Sequence, residues 1–308
     1  MPGIGIVVNP KGKKYQKDPD KIGRLSFIVG DRGSYQATAD IPDLRRVAEQ
    51  FKSRDIDILA IGGGDGTTHV TLTHFIDVYG EKPLPKITFL RGGTMNTLAN
   101  SCNIKGVPEK ILSNLIYKYH EGEEFESTEV DMMEINGMYG FIFGCGGIYR
   151  FMEAYYSGTT PSPAKAAYTL SRAITSALMN GKFARKMFKR FDGDVWVDGE
   201  KWPFANWAAL YAGSIPLLGL KFKVFHYATE PQRFHAAGFS LPPRHVLKFA
   251  PRMFTGKKID DENLVESPAR EMRIELAEPM AFTIDGDMLP AASQITVKSG
   301  PRLKVLVR

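Results

Sequence analysis

The chain has 308 residues, 43% hydrophobic and 24% charged, with a net charge of +6 and a pI near 9.1. That composition excludes a disordered or fibrous protein, and the length exceeds what one hydrophobic core ordinarily serves, so two domains are expected. The positive balance favours an anionic partner: a nucleotide, an acidic membrane surface or a nucleic acid.

The first third alternates strand and helix signals. Residues 4–8 form a short β-branched run ending at Asn9-Pro10, and Leu44, Val47, Ala48 and Phe51 recur at helical spacing. Residues 56–61 read as a buried strand ending in Gly62-Gly63-Gly64. Thr67 or Thr68 is placed to cap a following helix that carries Val70, Leu72, Phe75 and Ile76. Residues 87–90 form a third strand, ending in Arg91-Gly92-Gly93, with a helical stretch after Asn96. Strands alternating with helices imply a parallel sheet covered on both faces, with ligands beyond the C-terminal strand ends. Asn9, the triple glycine and the Gly92-Gly93 loop share that edge and are expected to form one site.

After about residue 125 the pattern changes to short strands and turns. EVDMMEINGMYGFIFGCGG reads as two strands joined at Asn136-Gly137, a strong hairpin signal. A helix is expected over 164–180, with Leu170, Ile174, Ala177 and Leu178 as its apolar positions. Short strands follow at 195–197, 208–211, 222–227, 272–276, 280–284 and 295–297, with turns at Asp198-Gly199 and Asp285-Gly286. This is the pattern of an antiparallel second domain, a sandwich or curved sheet.

Cys102 and Cys145 are too few for a disulfide framework and lack metal-ligand spacing, so they read as buried thiols of a reducing cytosol. The opening MPGIGIVVNP has no basic segment followed by a long apolar run, and no signal peptide is expected. ANWAALYAGSIPLLGL, interrupted by Asn206, Ser214 and Pro216, falls short of a membrane span. The expectation is a soluble cytoplasmic protein, at most peripheral to a membrane.

Three stretches carry chemistry. In LAIGGGDGTTHV, at 59–70, glycines let a backbone approach polyphosphate and the next helix presents its positive end. The stretch is neither a Walker A loop nor a dinucleotide fingerprint. A tight turn with Asp65 as a cap explains it equally. FLRGGTMNTLAN, at 89–100, repeats strand, glycines, hydroxyl and helix, with Thr94 and Asn96 able to bond phosphate or ribose and Arg91 to add charge. Asn96 as a simple helix cap is the alternative. In FTIDGDMLP, Asp285 and Asp287 bracket a glycine, and an extended segment projects alternate carboxylates to one side. Paired acids suit a general base and a Mg²⁺ ligand, whereas Asp-Gly alone makes an ordinary turn.

Together, Asn9-Pro10, GGGDGT at 62–67, GGTMN at 92–96, VDMMEING at 130–137 and IDGD at 284–287 resemble, in order and spacing, the diacylglycerol kinase catalytic-domain family. That family includes bacterial lipid kinases, sphingosine kinases and ceramide kinases. GGDGT is shared with NAD kinases and phosphofructokinases; GGTMN and the late IDGD separate this chain from them. The resemblance implies an α/β plus all-β fold. Its parallel α/β nucleotide-binding domain spans 1–126, with 298–308 returning to it; its antiparallel β-sandwich-like lipid-substrate domain spans 127–297, with the active site in the cleft between them.

The resemblance further implies that Asn9, Gly63, Gly64, Asp65, Gly66, Thr67, Gly93, Thr94 and Asn96 form the nucleotide site for ATP. Asp285 takes the place of the family's general base, with Asp65 as a second catalytic acid. Asp287 stands where the family usually has Glu and joins Asp65 in organising Mg²⁺. Three positions depart from the family pattern. Thr97 follows Asn96 where an aspartate is common, Phe143 replaces a polar residue, and HYATEPQRFHAAG lacks an aspartate in the region of Gln232–Gly238.

The implied reaction transfers the γ-phosphoryl group of ATP to a hydroxyl of a lipid such as diacylglycerol. A small-molecule kinase of the NAD kinase type and a non-catalytic nucleotide- or lipid-binding relative are the alternatives. Residues 164–190 hold Lys165, Arg172, Lys182, Arg185, Lys186, Lys189 and Arg190, no acid, and interleaved Met179, Phe183, Met187 and Phe188. They suit contact with an anionic membrane, or equally a solvated helix face. The six histidines show no metal-ligand spacing, and Trp196, Trp202 and Trp207 read as β-domain core. No nucleic-acid partner is expected, and the oligomeric state is left open.

Overall fold

The computed structural model describes residues 3–307 except 31–33, 39, 159, 220 and 221. The chain divides into two compact units, Met1–Val130 with Arg302–Arg308, and Asp131–Pro301.

The first unit runs β1 (Ile4–Val8), α1 (Lys13–Lys17), α2 (Asp20–Val29), β2 (Tyr35–Ala37), α3 (Ile41–Arg54), β3 (Ile58–Gly62), α4 (Asp65–Tyr79), β4 (Lys86–Phe89), α5 (Thr97–Ser101) and α6 (Pro108–Glu121). Its sheet order is β2-β1-β3-β4, all parallel, and Val305 adds a further parallel pairing against Ile87. Every residue of β1 and β3 is buried. That explains why these strands read as unbroken apolar runs, since a parallel sheet is covered on both faces. Leu25 of α2 and Leu112 and Leu115 of α6 pack with Ile6, Ile58 and Leu90. Leu44, Val47, Ala48 and Phe51 form the buried face of α3, where Phe51 meets Phe75 of α4 at 6.3 Å. Asp40 caps α3 by accepting from the Asp43 amide at 3.0 Å. The expected threonine cap of α4 is corrected: the helix begins at Asp65 after Gly64. The Thr68 hydroxyl bonds back to the Gly64 carbonyl from inside the first turn.

β5 (Ser127–Ile135) leads into the second unit and turns at Asn136-Gly137 into β6 (Met138–Gly140). Both turn residues have positive φ, +47° and +80°, as a primed two-residue hairpin requires. There follow β7 (Ile142–Gly146), α7 (Gly147–Tyr156), α8 (Pro163–Leu178), α9 (Lys182–Met187), β8 (Phe191–Val197), β9 (Glu200–Lys201), β10 (Asn206–Trp207) and β11 (Ala209–Gly213). The rest of the unit is β12 (Phe234–Phe239), α10 (Pro243–Thr255), β13 (Leu264–Ala269), β14 (Glu271–Ile284) and β15 (Asp287–Leu306), whose last residues lie in the first unit. The antiparallel order is β13-β12-β11-β7-β14.

The segments expected as strands at 272–276 and 280–284 are one strand, β14. Its first part pairs with β8 and its last with β7, and register irregularities lie between Glu275 and Phe282. The strand expected at 222–227 is corrected: beyond a single bridge from Phe222 to Leu218, the segment turns, and Val224 and Phe225 bury without strand partners. An apolar run reports burial, not pairing. Three helices of this unit went unread, α7, α9 and α10, as did α1, α2 and α6 of the first. α7 starts on glycines, and α10 holds Pro251 inside it, a residue that normally ends helices. α8 buries small residues, Ala166, Thr169, Ala173 and Ala177, and leaves Leu178 64% exposed. Trp202 and Trp207 are core, whereas Trp196 is half-buried under the Arg273 guanidinium at 4.4 Å. No helix among the described residues is long and apolar enough to cross a membrane.

One polar residue lies deep in this unit. His235 on β12 is fully buried, stacked on Tyr227 at 5.4 Å, with neither ring nitrogen hydrogen-bonded among the described residues and Glu266 at 3.7 Å. Burial lowers its pKa to about 3 from 6.5. Folding therefore excludes a proton that the unfolded chain takes up below 6.5. Stability is full above that pH and falls by up to about 1.4 kcal/mol per pH unit beneath it. Glu266, held above the usual carboxylate range by burial, acts in the opposite direction. His235→Phe keeps Glu266 and removes the imidazole, so urea melts between pH 7 and 5, roughly the window in which free imidazole titrates, should show a shallower acid loss in the variant. Equal acid losses in both proteins would contradict this.

Candidate functional site

In the first unit, three loops leave the C-terminal strand ends side by side. Asn9, after β1, donates from Nδ2 to the Thr67 hydroxyl at 3.1 Å and accepts from the Lys11 amide at 2.9 Å. Gly63 sits so close to Thr67 that a Cβ there would lie 2.4 Å from its side chain. The two glycine loops touch backbone to backbone: a Cβ on Gly93 would come 2.3 Å from the Gly64 Cα. Asn9, Gly63, Gly64, Gly93, Thr94 and Asn96 thus lie on loops of one unit, with Gly66 and Thr67 in the first turn of α4.

Asn96 has φ +49° and braces its own loop, accepting from the Gly93 amide and donating to the Gly93 carbonyl, both at 3.0 Å. It makes no side-chain cap bond to α5. That cap comes from the other loop. The Asp65 carboxylate accepts from the Thr97 amide at 3.0 Å and the Leu98 amide at 3.1 Å. Burial raises the Asp65 pKa, opposed by those amide bonds. The observed bonds are those of a cap, and a cation at Asp65 would have to share its oxygens with them. Arg91 is equally committed: its Nη1 donates to Asn100 at 2.8 Å and to the Ile104 carbonyl at 2.5 Å.

Sequence reasoning missed the support beneath these loops. Tyr15 of α1 is 1% exposed, and a Cβ on Gly92 would strike its ring at 2.7 Å. Its hydroxyl would lie 3.0 Å from a Cβ on Gly62 and has no hydrogen-bond partner among the described residues. Lys14 donates to the Arg91 carbonyl at 2.7 Å, its pKa lowered by burial and then by Arg91. The only signal for either residue was an aromatic within the basic run KGKKYQK directly after Asn9-Pro10.

In the second unit, Asp285-Gly286 forms the two-residue turn between β14 and β15, with φ of +50° and +91°. Asp285 is therefore not in an extended segment, which corrects the alternation expected for Asp285 and Asp287. Its Oδ1 accepts from the Ile142 amide at 2.8 Å, and both oxygens lie 3.1 Å from the Phe141 amide. Its own amide donates to the Ile142 carbonyl at 2.9 Å. Gly140 permits this approach, since a Cβ there would lie 3.0 Å from Oδ2 and 2.3 Å from Ile284. Asp287, partly exposed, opens β15 opposite Ile284. Asp131 accepts from the Gln232 amide at 2.7 Å, where Gln232 has φ +56°. A backbone N–H thus meets Asp131 in the stretch where an aspartate was missing. Phe143 is fully buried against Phe282.

Among the described residues, no group of three or more His, Cys, Asp or Glu side chains could hold a metal.

The protein thus combines an α/β unit with paired glycine loops and an antiparallel unit with a clamped turn aspartate. Residues 4–125 match the diacylglycerol kinase catalytic domain. Two diacylglycerol kinases, from Staphylococcus aureus strains bovine RF122 / ET3-1 and MRSA252, are each 30% identical to the chain over 167 residues. The match covers 52% of this chain and 47% of each relative, so the aligned region is about half the length of those proteins. The crystal structure of a putative diacylglycerol kinase from Bacillus anthracis str. Sterne aligns with TM-score 0.68 at 15% identity, covering 100% of this chain and 97% of that one. A second diacylglycerol kinase structure from the same strain gives 0.64 at 17%, with the same coverage. The first unit is thus similar to a diacylglycerol kinase catalytic domain, and the chain shares its fold with those two structures.

Proposed function

We propose that the protein is an ATP-dependent lipid kinase that phosphorylates a hydroxyl of a lipid acceptor such as diacylglycerol. The observation that carries this reading is the backbone contact of two glycine loops at the strand ends of the first unit; the second unit adds a turn carboxylate held by backbone amides. Gly63, Gly64, Gly66 and Gly93 let backbone approach the polyphosphate, and Asn9, Thr67, Thr94 and Asn96 supply polar groups around it. Asp65 ties one loop to the helix of the other and acts by positioning. Asp285 is the general base that takes the acceptor hydroxyl's proton as its oxygen attacks the γ-phosphorus. Asp287, a hard oxygen donor, would hold Mg²⁺ together with the nucleotide phosphates; the ion's contribution is to neutralise their charge.

The protein acts in the cytoplasm, at an anionic membrane surface that it meets through residues 164–190. Transfer of radiolabelled phosphate from ATP–Mg²⁺ to diacylglycerol, monoacylglycerol, ceramide, sphingosine and phosphatidylglycerol, with NAD as a further acceptor, tests the reading. Label on one of these lipids is expected. Label on NAD alone would assign the chain to the other kinase class, and label on nothing, with nucleotide still bound, would make it a binding protein.

A further inference from the structure

The chain's positive charge is concentrated in one part of the second unit. Residues 163–190 hold seven lysines and arginines, residues 243–258 hold five, and neither stretch holds an acid. With the whole chain at +6, the remainder is net −6. These stretches contain α8, α9 and α10, and both α9 and α10 pack on α8. Arg244, Lys248 and Arg252 are exposed along one stripe of α10. Large apolar side chains stand exposed among the charges: Tyr168 at 65%, Leu178 at 64% and Met179 at 78%. A polyanion groove needs the charges alone; interleaved exposed Leu and Met fit a surface with an apolar layer behind its charge.

Within this surface lies a cleft of about 500 Å³, lined from α7, α8 and α9 by Ser157, Ser162, Lys165, Tyr168, Arg172 and Phe183. Lys165, Tyr168, Arg172 and Met179 recur at intervals of three, four and seven, one stripe of α8. Lys165 bonds the Ser157 carbonyl, which fixes its ammonium at the cleft. The Arg172 guanidinium carbon lies over the Phe183 ring, 4.2 Å from its centroid. A ring contact leaves a guanidinium's N–H groups unused, and Arg172 forms neither an ion pair nor a hydrogen bond among the described residues.

We propose that this cleft seats the phosphate of an anionic phospholipid headgroup, with Arg172 as its bidentate donor and Leu178 and Met179 entering the bilayer. The proposal rests on the lipid-kinase reading only for the presence of a bilayer, and its test needs no turnover. Without nucleotide, the protein is sedimented with vesicles of phosphatidylcholine, alone or mixed with phosphatidylglycerol. Wild type is expected to pellet with the mixed vesicles only. Arg185→Gln, which removes an exposed charge outside the cleft, should weaken binding by about fivefold, the effect of one basic residue near an anionic surface. Arg172→Gln should weaken it by more than tenfold, and Leu178→Ser with Met179→Ser should weaken it as well. Arg172→Lys, which keeps the charge and loses the fork, should fall between wild type and Arg172→Gln. Equal losses for Arg172→Gln and Arg185→Gln would reduce the site to diffuse attraction and overturn it. Binding to neutral vesicles would do the same, as would full displacement by glycerol phosphate, which would make the ligand a soluble phosphate. Transfer of phosphate to lipid dispersed in neutral detergent, assayed separately, tests the kinase reading alone.

Discussion

Asp285→Asn is expected to lower phosphoryl transfer by about 10²–10⁴-fold, the usual worth of a positioned general base. The size of the loss follows from how the carboxylate is held. A residue at φ +50° in a two-residue turn has little freedom, and three contacts with the Phe141 and Ile142 amides fix its plane. The asparagine amide has the same shape, and its oxygen can still accept from the Ile142 amide. Its NH₂ then faces the Phe141 amide, donor against donor, so a modest loss of stability is expected as well, on the order of 1–3 kcal/mol. The proposed nucleotide groups belong to the other unit and are untouched by the change. The nucleotide dissociation constant, read by calorimetry with Mg²⁺ present, should stay within about threefold of wild type, well under the 1.4 kcal/mol of a tenfold change. Wild-type turnover in the variant would remove Asp285 as the base. Loss of nucleotide binding would mean that the clamp, not the proton transfer, was the function.

Much of the local structure was legible because the signals were redundant. Leu44, Val47, Ala48 and Phe51 are the buried stripe of α3 because a helix against a sheet needs an apolar residue every three or four positions. Asn136-Gly137, Asp198-Gly199 and Asp285-Gly286 all turn with positive φ, which these residue types tolerate. What escaped was set by distance in sequence. Asp65 accepts from amides 32 and 33 residues away, and Asp285 from amides 143 and 144 residues away. No local pattern records such partners. Tyr15 escaped for the same reason: its role is to fill space beneath Gly62 and Gly92, and those glycines show only that something approaches. α8 escaped in part because its buried face is made of alanines and a threonine, so the larger Leu178 drew the expected core to the wrong side.

Asp65→Ala should loosen both glycine loops at once. The substitution leaves the Thr97 and Leu98 amides without their acceptor, at a cost of about 1–3 kcal/mol for each amide that water does not reach. Because α5 follows the GGTMN loop, the loss should also reach the nucleotide, weakening its binding by about tenfold if one bond's worth of order, near 1.4 kcal/mol, is lost from the loop. Asp65→Asn should lie between, with one amide still satisfied. The pH dependence has a defined sign. Burial raises the folded pKa above the ordinary 3.8, so the folded state binds a proton more readily than the unfolded chain. Stability tied to this group is full below 3.8 and declines as pH rises through the folded value. The wild type's lead over the non-titrating Asp65→Asn should therefore shrink as pH rises across that window. Removing Mg²⁺ separates the two roles open to Asp65. A cap acts on the loops whether or not the cation is present, so the variant's deficit in nucleotide affinity should be the same with Mg²⁺ and with chelator. A carboxylate that organised the ion would lose its advantage once the ion is gone. Convergence of wild type and Asp65→Ala in chelator would return the residue to the metal and take it from the helix.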